Sequence, residues 1–234
     1  MTDARRDEIE ANLTAVRDRI AGACARAGRS ADEVTLTVVT KFFPASDVHL
    51  LAELGVRDVG ENRHQEAEAK RAECADLGLT WHFIGGLQSN KAAAVAAYAD
   101  VVESVDRAKL LKGLTRGAHE AGRTLDVLVQ VSLDEDPGAG RSGVAPVQAE
   151  ALAEQVVAAE GLRLRGVMAV APLGADPVPA FAKLASVARL VRRVDPAATW
   201  VSAGMSADLE AAVESGATHV RIGSAVLGSR PPNR

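Results

Sequence analysis

The sequence contains few of the residues that mark metal, redox or membrane proteins. Its two cysteines, Cys24 and Cys74, have neither the spacing of a metal pair nor that of a redox motif, so we expect both to be packed, reduced thiols. No two of the five histidines have zinc-ligand spacing, and no metal site is predicted. No stretch approaches about 18 uninterrupted apolar residues, and the first six residues form no apolar segment. We therefore expect neither a membrane span nor a secretory signal.

The sequence also has no large excess of positive or negative charge. The formal net charge is -4 and the basic residues are spread along the chain, so neither a nucleic-acid partner nor an anionic membrane partner is predicted. We expect a soluble cytoplasmic protein that acts as a monomer. Lysine is also scarce, with six lysines against 21 arginines. A lysine at the end of an apolar strand therefore calls for an explanation.

Apolar periodicity divides the chain into alternating helices and strands. A leading helix is predicted over residues 5–27, where Gly28 is placed to stop it. Eight strands follow, at residues 34–39, 55–60, 80–85, 100–104, 125–132, 162–169, 199–202 and 219–222. Helices are predicted between them at residues 46–54, 63–77, 89–98, 107–121, 146–159, 177–194 and 208–214.

This alternation predicts an α/β fold, a single parallel (β/α)8 TIM barrel with an additional N-terminal helix. We prefer it to an open doubly wound sheet because the unusual residues fall at the carboxyl ends of the strands, where a barrel assembles its site. We expect one domain over residues 1–234, with the leading helix at 1–28, the barrel at 34–228 and a tail at 229–234. The loop from Asp134 to Gly143, rich in glycine and proline, is expected to be mobile.

Lys41 is the first candidate for chemistry. It follows a strand of β-branched and apolar residues, and Pro44 prevents that strand from continuing. Its neighbours Phe42 and Phe43 strip water from the ammonium, which favours the neutral, nucleophilic amine that forms a Schiff base. The alternative is a lysine that extends from a strand end to solvent.

The segments after the last two strands predict a phosphate site. Ser202 to Ser206 follow the seventh strand, with Ser206 placed to open a helix, and Gly223 and Ser224 follow the eighth. Glycines allow close backbone approach to an anion, and the hydroxyls with nearby amides suit phosphate oxygens. Ser206 could instead be an ordinary helix cap and Gly223 a turn glycine. Strand parity leaves open whether Arg221 points into the barrel; if it does, it is a fixed donor.

Several longer motifs carry a resemblance. The chain has Val-Thr-Lys at 39–41, Gly-Glu-Asn at 60–62, Trp-His-Phe-Ile-Gly-Gly-Leu-Gln-Ser-Asn-Lys at 81–91, Ser-Ala-Gly-Met-Ser-Ala-Asp-Leu-Glu-Ala-Ala at 202–212 and Val-Arg-Ile-Gly-Ser at 220–224. These segments resemble the pyridoxal phosphate homeostasis proteins, in order from the leading helix to Gly228. That family's barrel is similar to the N-terminal domain of alanine racemases.

The resemblance implies a role for each candidate residue. Lys41 would hold pyridoxal 5′-phosphate as a Schiff base, Arg221 would face the pyridine nitrogen, and Asn62 and His82 would lie near the ring. The remaining implied cofactor-binding residues, at the phosphate end, are Ser202, Ser206, Gly223 and Ser224.

Three positions depart from the family's commonest residues. Arg63 stands where tyrosine is frequent, Gly86 where proline is frequent and Arg141 where lysine is usual. None of these departures removes an implied cofactor contact.

Two residues keep ordinary alternatives. His82 is more often a satisfied barrel histidine than an acid or base, and we assign it no proton transfer. Glu61 could be a general base, yet a carboxylate at a barrel rim is commonly paired with an arginine such as Arg57 or Arg63.

The resemblance favours a pyridoxal-phosphate-binding protein of intracellular vitamin B6 homeostasis, without substrate turnover, that passes the cofactor to pyridoxal-dependent apoenzymes. The alternative is a pyridoxal-dependent amino-acid racemase-like enzyme. Against it, the arginine opposite the ring nitrogen weakens the electron sink, and the only tyrosine, Tyr98, lies in the helix after strand three. From the residues alone a class I aldolase would also use a barrel lysine and a phosphate site.

Overall fold

Eight parallel strands pair in chain order and close into a barrel in the computed structural model, which describes residues 2–134 and 142–229. The strands are β1 Thr35–Val39, β2 Asp58–Glu61, β3 Thr80–Phe83, β4 Val101–Val105, β5 Leu125–Gln130, β6 Leu162–Met168, β7 Trp200–Ser202 and β8 His219–Ile222. The barrel closes where β8 pairs with β1, in a register that sets Arg221 beside Thr37. The predicted parallel (β/α)8 barrel is confirmed.

One helix precedes the barrel and the others follow its strands. They are α1 Thr2–Arg26, α2 Ala45–Glu53, α3 His64–Glu73, α4 Ala92–Tyr98, α5 Leu111–Glu120, α6 Ala149–Val157, α7 Pro177–Val194, α8 Leu209–Glu214 and α9 Ser224–Leu227. Within the described ranges, no helix combines the length and apolar character needed to cross a membrane.

Local sequence explains α7, the longest helix that follows a strand. α7 begins after Asp176, whose carboxylate accepts a hydrogen bond from the Val178 amide at 3.0 Å, and Pro177 occupies the first turn. Phe181 and Leu184 then recur at helical spacing and are buried against the sheet.

Two apolar clusters hold the helices against the barrel. One packs α4 to α7 against the strands from β3 to β7, and includes Leu114 and Leu184. The other packs α1 and α2 against β1, β2 and β8, and includes Ile9 and Leu51. Both clusters lie between the strands and the surrounding helices. The loops at the strands' carboxyl ends are therefore left to form a site.

Some predicted boundaries were wrong. α8 begins at Leu209, and Ser206 does not open it; Asp208 is the flanking residue, and its carboxylate accepts from the Met205 amide at 2.6 Å, which closes a turn ahead of the helix. α4 begins at Ala92, three residues later than predicted. Most of the loop expected to be mobile, residues 135–141 with Arg141, and tail residues 230–234 lie outside the described residues.

Candidate functional site

Six of the eight predicted site residues line one cavity at the carboxyl ends of the strands. The cavity has a volume of about 410 Å³. Its predicted members are Lys41, Asn62, Ser206, Arg221, Gly223 and Ser224. Its walls also carry apolar side chains such as Ile84 and Met168. This size and this mixture of apolar walls with a few polar groups are typical of small-molecule sites.

Lys41 lies in a tight turn between β1 and α2. The next residue, Phe42, has a φ of 71°, a left-handed conformation that a bulky side chain adopts only under constraint. Its amide donates to the Glu66 carboxylate at 2.5 Å. The Arg63 guanidinium lies 5.0 Å from the centre of the Phe42 ring. The strained turn is therefore held from the side of α3.

A buried cluster beneath α3 supports the same turn. The Lys70 ammonium donates to the Thr40 carbonyl at 2.8 Å, to Glu61 at 2.6 Å and to Glu66 at 3.2 Å. The Thr40 hydroxyl also donates to Glu61, at 2.6 Å. The predicted arginine partner for Glu61 is wrong, because its carboxylate pairs with Lys70 instead. Burial raises the pKa of Glu61, although the neighbouring ammonium and hydroxyl oppose that shift.

The predicted phosphate end combines two loops. The hydroxyls of Ser206 and Ser224 lie 3.4 Å apart, so both face the same small volume. The amides of Ser224 and the next residue open α9 and have no acceptor within the helix. Gly223 is closely packed, because a Cβ atom there would lie 3.3 Å from the Val39 carbonyl. These groups form a set of donors at one end of the cavity.

The Arg221 side chain points into the barrel and reaches the cavity. This answers the question that the strand pattern left open. Its guanidinium is almost fully buried, donates to the Ser202 hydroxyl at 2.6 Å and to the Ala169 carbonyl at 2.9 Å, and lies 3.7 Å from Glu103. Ser202 in turn donates to Glu103 at 2.6 Å. Burial lowers the pKa of Arg221, and the Glu103 charge opposes this. The group stays a cation.

His82 and Ser202 do not line the cavity among the described residues. They lie behind Arg221 in the barrel interior, where the His82 ring nitrogens contact Glu103 at 2.7 Å and Asp58 at 3.1 Å. Burial alone lowers the pKa of His82, but these two carboxylates outweigh it and raise that pKa to about 9. Cofactor contact by His82 and Ser202 stays a prediction.

Sequence reasoning missed the residues that support the site. Glu103, Asp58, Lys70 and Glu66 were not singled out, although each contacts a predicted residue or its turn. For Glu103 and Asp58 a signal was present, because both lie within strands of a barrel whose interior is usually filled by branched apolar residues.

Comparisons with known proteins identify the family. The sequence model of the alanine racemase N-terminal domain family matches residues 6–231. The "Pyridoxal phosphate homeostasis protein" of Mycobacterium tuberculosis is 44% identical over 243 residues, covering 97% of this chain and 94% of that protein. The structure of PipY from Synechococcus elongatus, with pyridoxal phosphate bound, has a TM-score of 0.81 at 35% identity, and the match covers 94% of this chain and 100% of PipY.

Alanine racemases share the fold at greater distance. The enzyme from Streptomyces coelicolor has a TM-score of 0.75 at 17% identity, and the match covers 94% of this chain but 58% of the enzyme. The match with the Mycobacterium tuberculosis homeostasis protein, in contrast, covers nearly all of both chains. This chain belongs to the family of pyridoxal phosphate homeostasis proteins, within the alanine racemase N-terminal domain family.

Proposed function

We propose that this protein binds pyridoxal 5′-phosphate reversibly in the barrel cavity and serves intracellular vitamin B6 homeostasis rather than substrate turnover. The observation that carries the proposal is that Lys41, Arg221, Ser206 and Ser224 line a single cavity. Bound pyridoxal phosphate supplies an aldehyde that bonds to amines and a ring that acts as an electron sink.

The residues present fit this group. Lys41 supplies an amine for the aldehyde. The two serine hydroxyls 3.4 Å apart, with the first amides of α9, supply donors for a phosphate dianion, and Gly223 lets this segment pack closely on β1, because a Cβ atom there would lie 3.3 Å from the Val39 carbonyl. Arg221 supplies a permanent cation, which would oppose protonation of a ring nitrogen beside it.

The composition of the cavity wall supports binding without turnover. Among its described lining residues, Lys41 and Arg221 are the ionisable ones, and none is an acid, a histidine or a tyrosine. Racemisation needs a base on each face of the ring. Tyr98, the last residue of α4, does not line the cavity; it stacks on His64 of α3, with ring centres 5.8 Å apart. Steady turnover of any amino acid that Lys41→Ala abolishes would favour the racemase-like alternative.

The test of Lys41 is borohydride reduction followed by peptide mass spectrometry. We expect a yellow protein whose visible absorption disappears on reduction, with the adduct on Lys41. Lys41→Ala should lose the adduct and keep the fold, whereas Lys183→Ala, at an exposed position of α7, should behave as wild type. An adduct mainly on Lys91 or Lys183 would overturn the assignment. A colourless protein would favour an aldolase.

The phosphate end is tested by equilibrium dialysis, which compares how strongly the protein binds pyridoxal phosphate and how strongly it binds pyridoxal. Charge-assisted hydrogen bonds contribute about 1.5 to 3 kcal/mol each, so pyridoxal should bind at least about a hundredfold more weakly. Ser206→Ala and Ser224→Ala should each remove part of this difference. Equal retention of the two compounds by wild type would refute the phosphate site.

A further inference from the structure

One hydrogen-bonded chain of side chains runs through the barrel interior to the cavity. It begins at Asp58, the first residue of β2, and passes to His82 at 3.1 Å and from there to Glu103 at 2.7 Å. It continues from Glu103 to Ser202 at 2.6 Å and from Ser202 to Arg221 at 2.6 Å. Five strands contribute one residue each. Asp58 is partly open to solvent and Arg221 lines the cavity, so the chain joins the amino-terminal end of the barrel to the cofactor side.

Apart from Asp58, the members of this chain are almost completely buried. The side chains of His82, Glu103 and Arg221 are at most 3% exposed. Burial of a charge is strongly unfavourable unless the charge is paired and hydrogen-bonded. Here the charges alternate along the chain, as carboxylate, imidazolium, carboxylate and guanidinium. These four charges therefore sum to zero, and removal of any one of them leaves another charge uncompensated.

The geometry dictates which atoms carry protons. Both ring nitrogens of His82 face carboxylate oxygens, which only accept, so both nitrogens must donate and the ring is an imidazolium. The Ser202 hydroxyl accepts from Arg221 and must therefore give its own proton to Glu103. The donor and the acceptor of every hydrogen bond in the chain are therefore fixed.

Other ionisable groups also face this chain. The His219 ring lies 6.3 Å from that of His82 and packs on Trp200, with ring centres 4.3 Å apart. Arg165 lies over Trp200 and pairs with Asp126 at 3.7 Å. Burial lowers the pKa of His219 to about 4, so it is neutral near pH 7 and adds no charge to the set.

We propose that Glu103 is a positioning residue for Arg221, and that the His82 imidazolium, held between Asp58 and Glu103, keeps Glu103 ionised. The orientation of the guanidinium in the cavity is thus set from the opposite end of the barrel. The effect on bound pyridoxal phosphate rests on the proposed function, whereas the state of the chain itself does not.

The first experiment uses the protein without cofactor. The pKa of His82 is raised from about 6.5 to about 9, so its contribution to stability is fully present below about pH 6.5 and is lost as the pH rises through about 9. We expect the difference in unfolding free energy between wild type and His82→Gln to shrink over that range. In a Glu103→Gln background this pH dependence should be at most half as large, because one of the two carboxylates has gone.

A merely structural role for His82 would give a difference that does not change with pH, and that result would overturn the proposal. Direct titration of the His82 ring by NMR in wild type, assigned with His82→Gln, provides the same test if Glu103→Gln does not fold. A midpoint at or below 6.5 would overturn it as well.

The second experiment uses the protein with pyridoxal phosphate. Glu103→Gln should shift the absorption band of the bound cofactor, change how that band depends on pH, and weaken binding about tenfold, because Arg221 loses its support. Ser202→Ala interrupts the chain without removing a charge and should act in the same direction. Thr37→Val is the control: Thr37 is buried beside Arg221 in the strand register, and its hydroxyl has no hydrogen-bond partner among the described residues.

The two proposals fail separately. Bands of Glu103→Gln and Ser202→Ala that superimpose on wild type at every pH would refute the positioning role while leaving the cofactor assignment intact. If Thr37→Val shifted the band as much as Glu103→Gln, the effect would come from packing and the positioning role would fall. Wild type that binds no pyridoxal phosphate would refute the proposed function alone, since the cofactor-free titration still tests the chain.

Discussion

Two neighbouring glycines after β3 have very different surroundings. A Cβ atom at Gly85 would lie 2.1 Å from the Asn62 carbonyl oxygen, whereas one at Gly86 would lie 3.6 Å from its nearest neighbour, the Ser142 hydroxyl. The first distance requires the backbone to move, and the second is an ordinary contact. Asn62 lines the cavity, so the two positions separate damage to the site from damage to the loop.

We expect Gly85→Ala to lower the unfolding free energy by about 1 to 3 kcal/mol, as overpacked sites do, and to weaken pyridoxal phosphate binding because Asn62 is displaced. Gly86→Ala should stay within about 0.5 kcal/mol of wild type. Urea unfolding and equilibrium dialysis of both variants provide the measurement. Similar losses in the two variants would contradict the packing argument.

Lys70 links α3 to the turn that carries Lys41. It is the cation that balances buried Glu61 and also holds the Thr40 carbonyl. Because removal of one partner of a buried ion pair leaves the other uncompensated, Lys70→Met should lower the unfolding free energy by about 3 to 5 kcal/mol. Cofactor affinity should fall with it, since the strained Phe42 turn loses a neighbour of its Glu66 acceptor.

Two further variants serve as controls for Lys70→Met. Adding Glu61→Gln should restore part of the lost stability by removing the unpaired carboxylate. Arg116→Met breaks an exposed pair with Glu120 at 3.8 Å and should change the unfolding free energy by less than about 0.5 kcal/mol. Denaturant unfolding of the four proteins tests this; a loss below about 1 kcal/mol for Lys70→Met would show that the cluster is not a coupled unit.

The leading helix α1 contacts both segments of the proposed phosphate end, the loop after β7 and the short helix α9. Arg19 donates to the Ser206 carbonyl at 2.9 Å, and Asn12 donates to the Val226 carbonyl at 3.0 Å. Arg19 also pairs with Glu210 of α8 at 2.6 Å. α1 therefore contacts the segments that carry the donors of the proposed phosphate site, as well as covering the barrel.

We expect Arg19→Met to weaken binding of pyridoxal phosphate about threefold to tenfold, and to leave binding of pyridoxal nearly unchanged. Arg26→Met is the control, because Arg26 also pairs from α1 to α8, with Glu214 at 2.7 Å, and among the described residues it makes no hydrogen bond to the loop after β7 or to α9. Calorimetric titration of both compounds into both variants compares them. If Arg26→Met weakened the phosphorylated compound equally, α1 would act through stability alone.

The barrel interior makes the stability of the entire protein depend on pH. His219 is buried with its pKa lowered to about 4, so between about pH 6.5 and 4 the unfolded chain binds a proton that the native protein does not. Stability must therefore fall as the pH decreases through that range, by on the order of 3 kcal/mol. Glu103, with its pKa lowered to about 2 mainly by its bond to His82 against the effect of burial, adds a further loss below about pH 4.5.

We expect His219→Gln to flatten this acid limb between about pH 6.5 and 4.5. The variant also loses packing against Trp200, so its stability should be lower at every pH, and the slope rather than the level is the result to compare. Urea unfolding of wild type and variant across this range gives both slopes. Parallel curves would mean that His219 does not titrate differently in the two states.

Much of the site could be predicted because a parallel barrel brings the carboxyl ends of its strands together. Once the periodicity had defined eight strands, Lys41, Ser206 and Ser224 had to approach one another, and they line one cavity. Local capping was less reliable. The sequence is compatible with Ser206 as the helix cap. In the structure, however, the Asp208 carboxylate accepts a hydrogen bond from the Met205 amide and closes a turn before the helix. Composition does not decide between these two local hydrogen bonds.

The sequence by itself determined the order of the strands, the barrel and the positions of the residues at the strand ends, since hydrophobic periodicity and turn chemistry are local properties of the chain. Only the tertiary structure decided that Arg221 points inward and that Glu103 lies within reach of both His82 and Arg221. Those contacts join residues 21 and more than 100 positions apart. They exist because closure of the barrel excludes water from its interior, where each buried charge must find an opposite one.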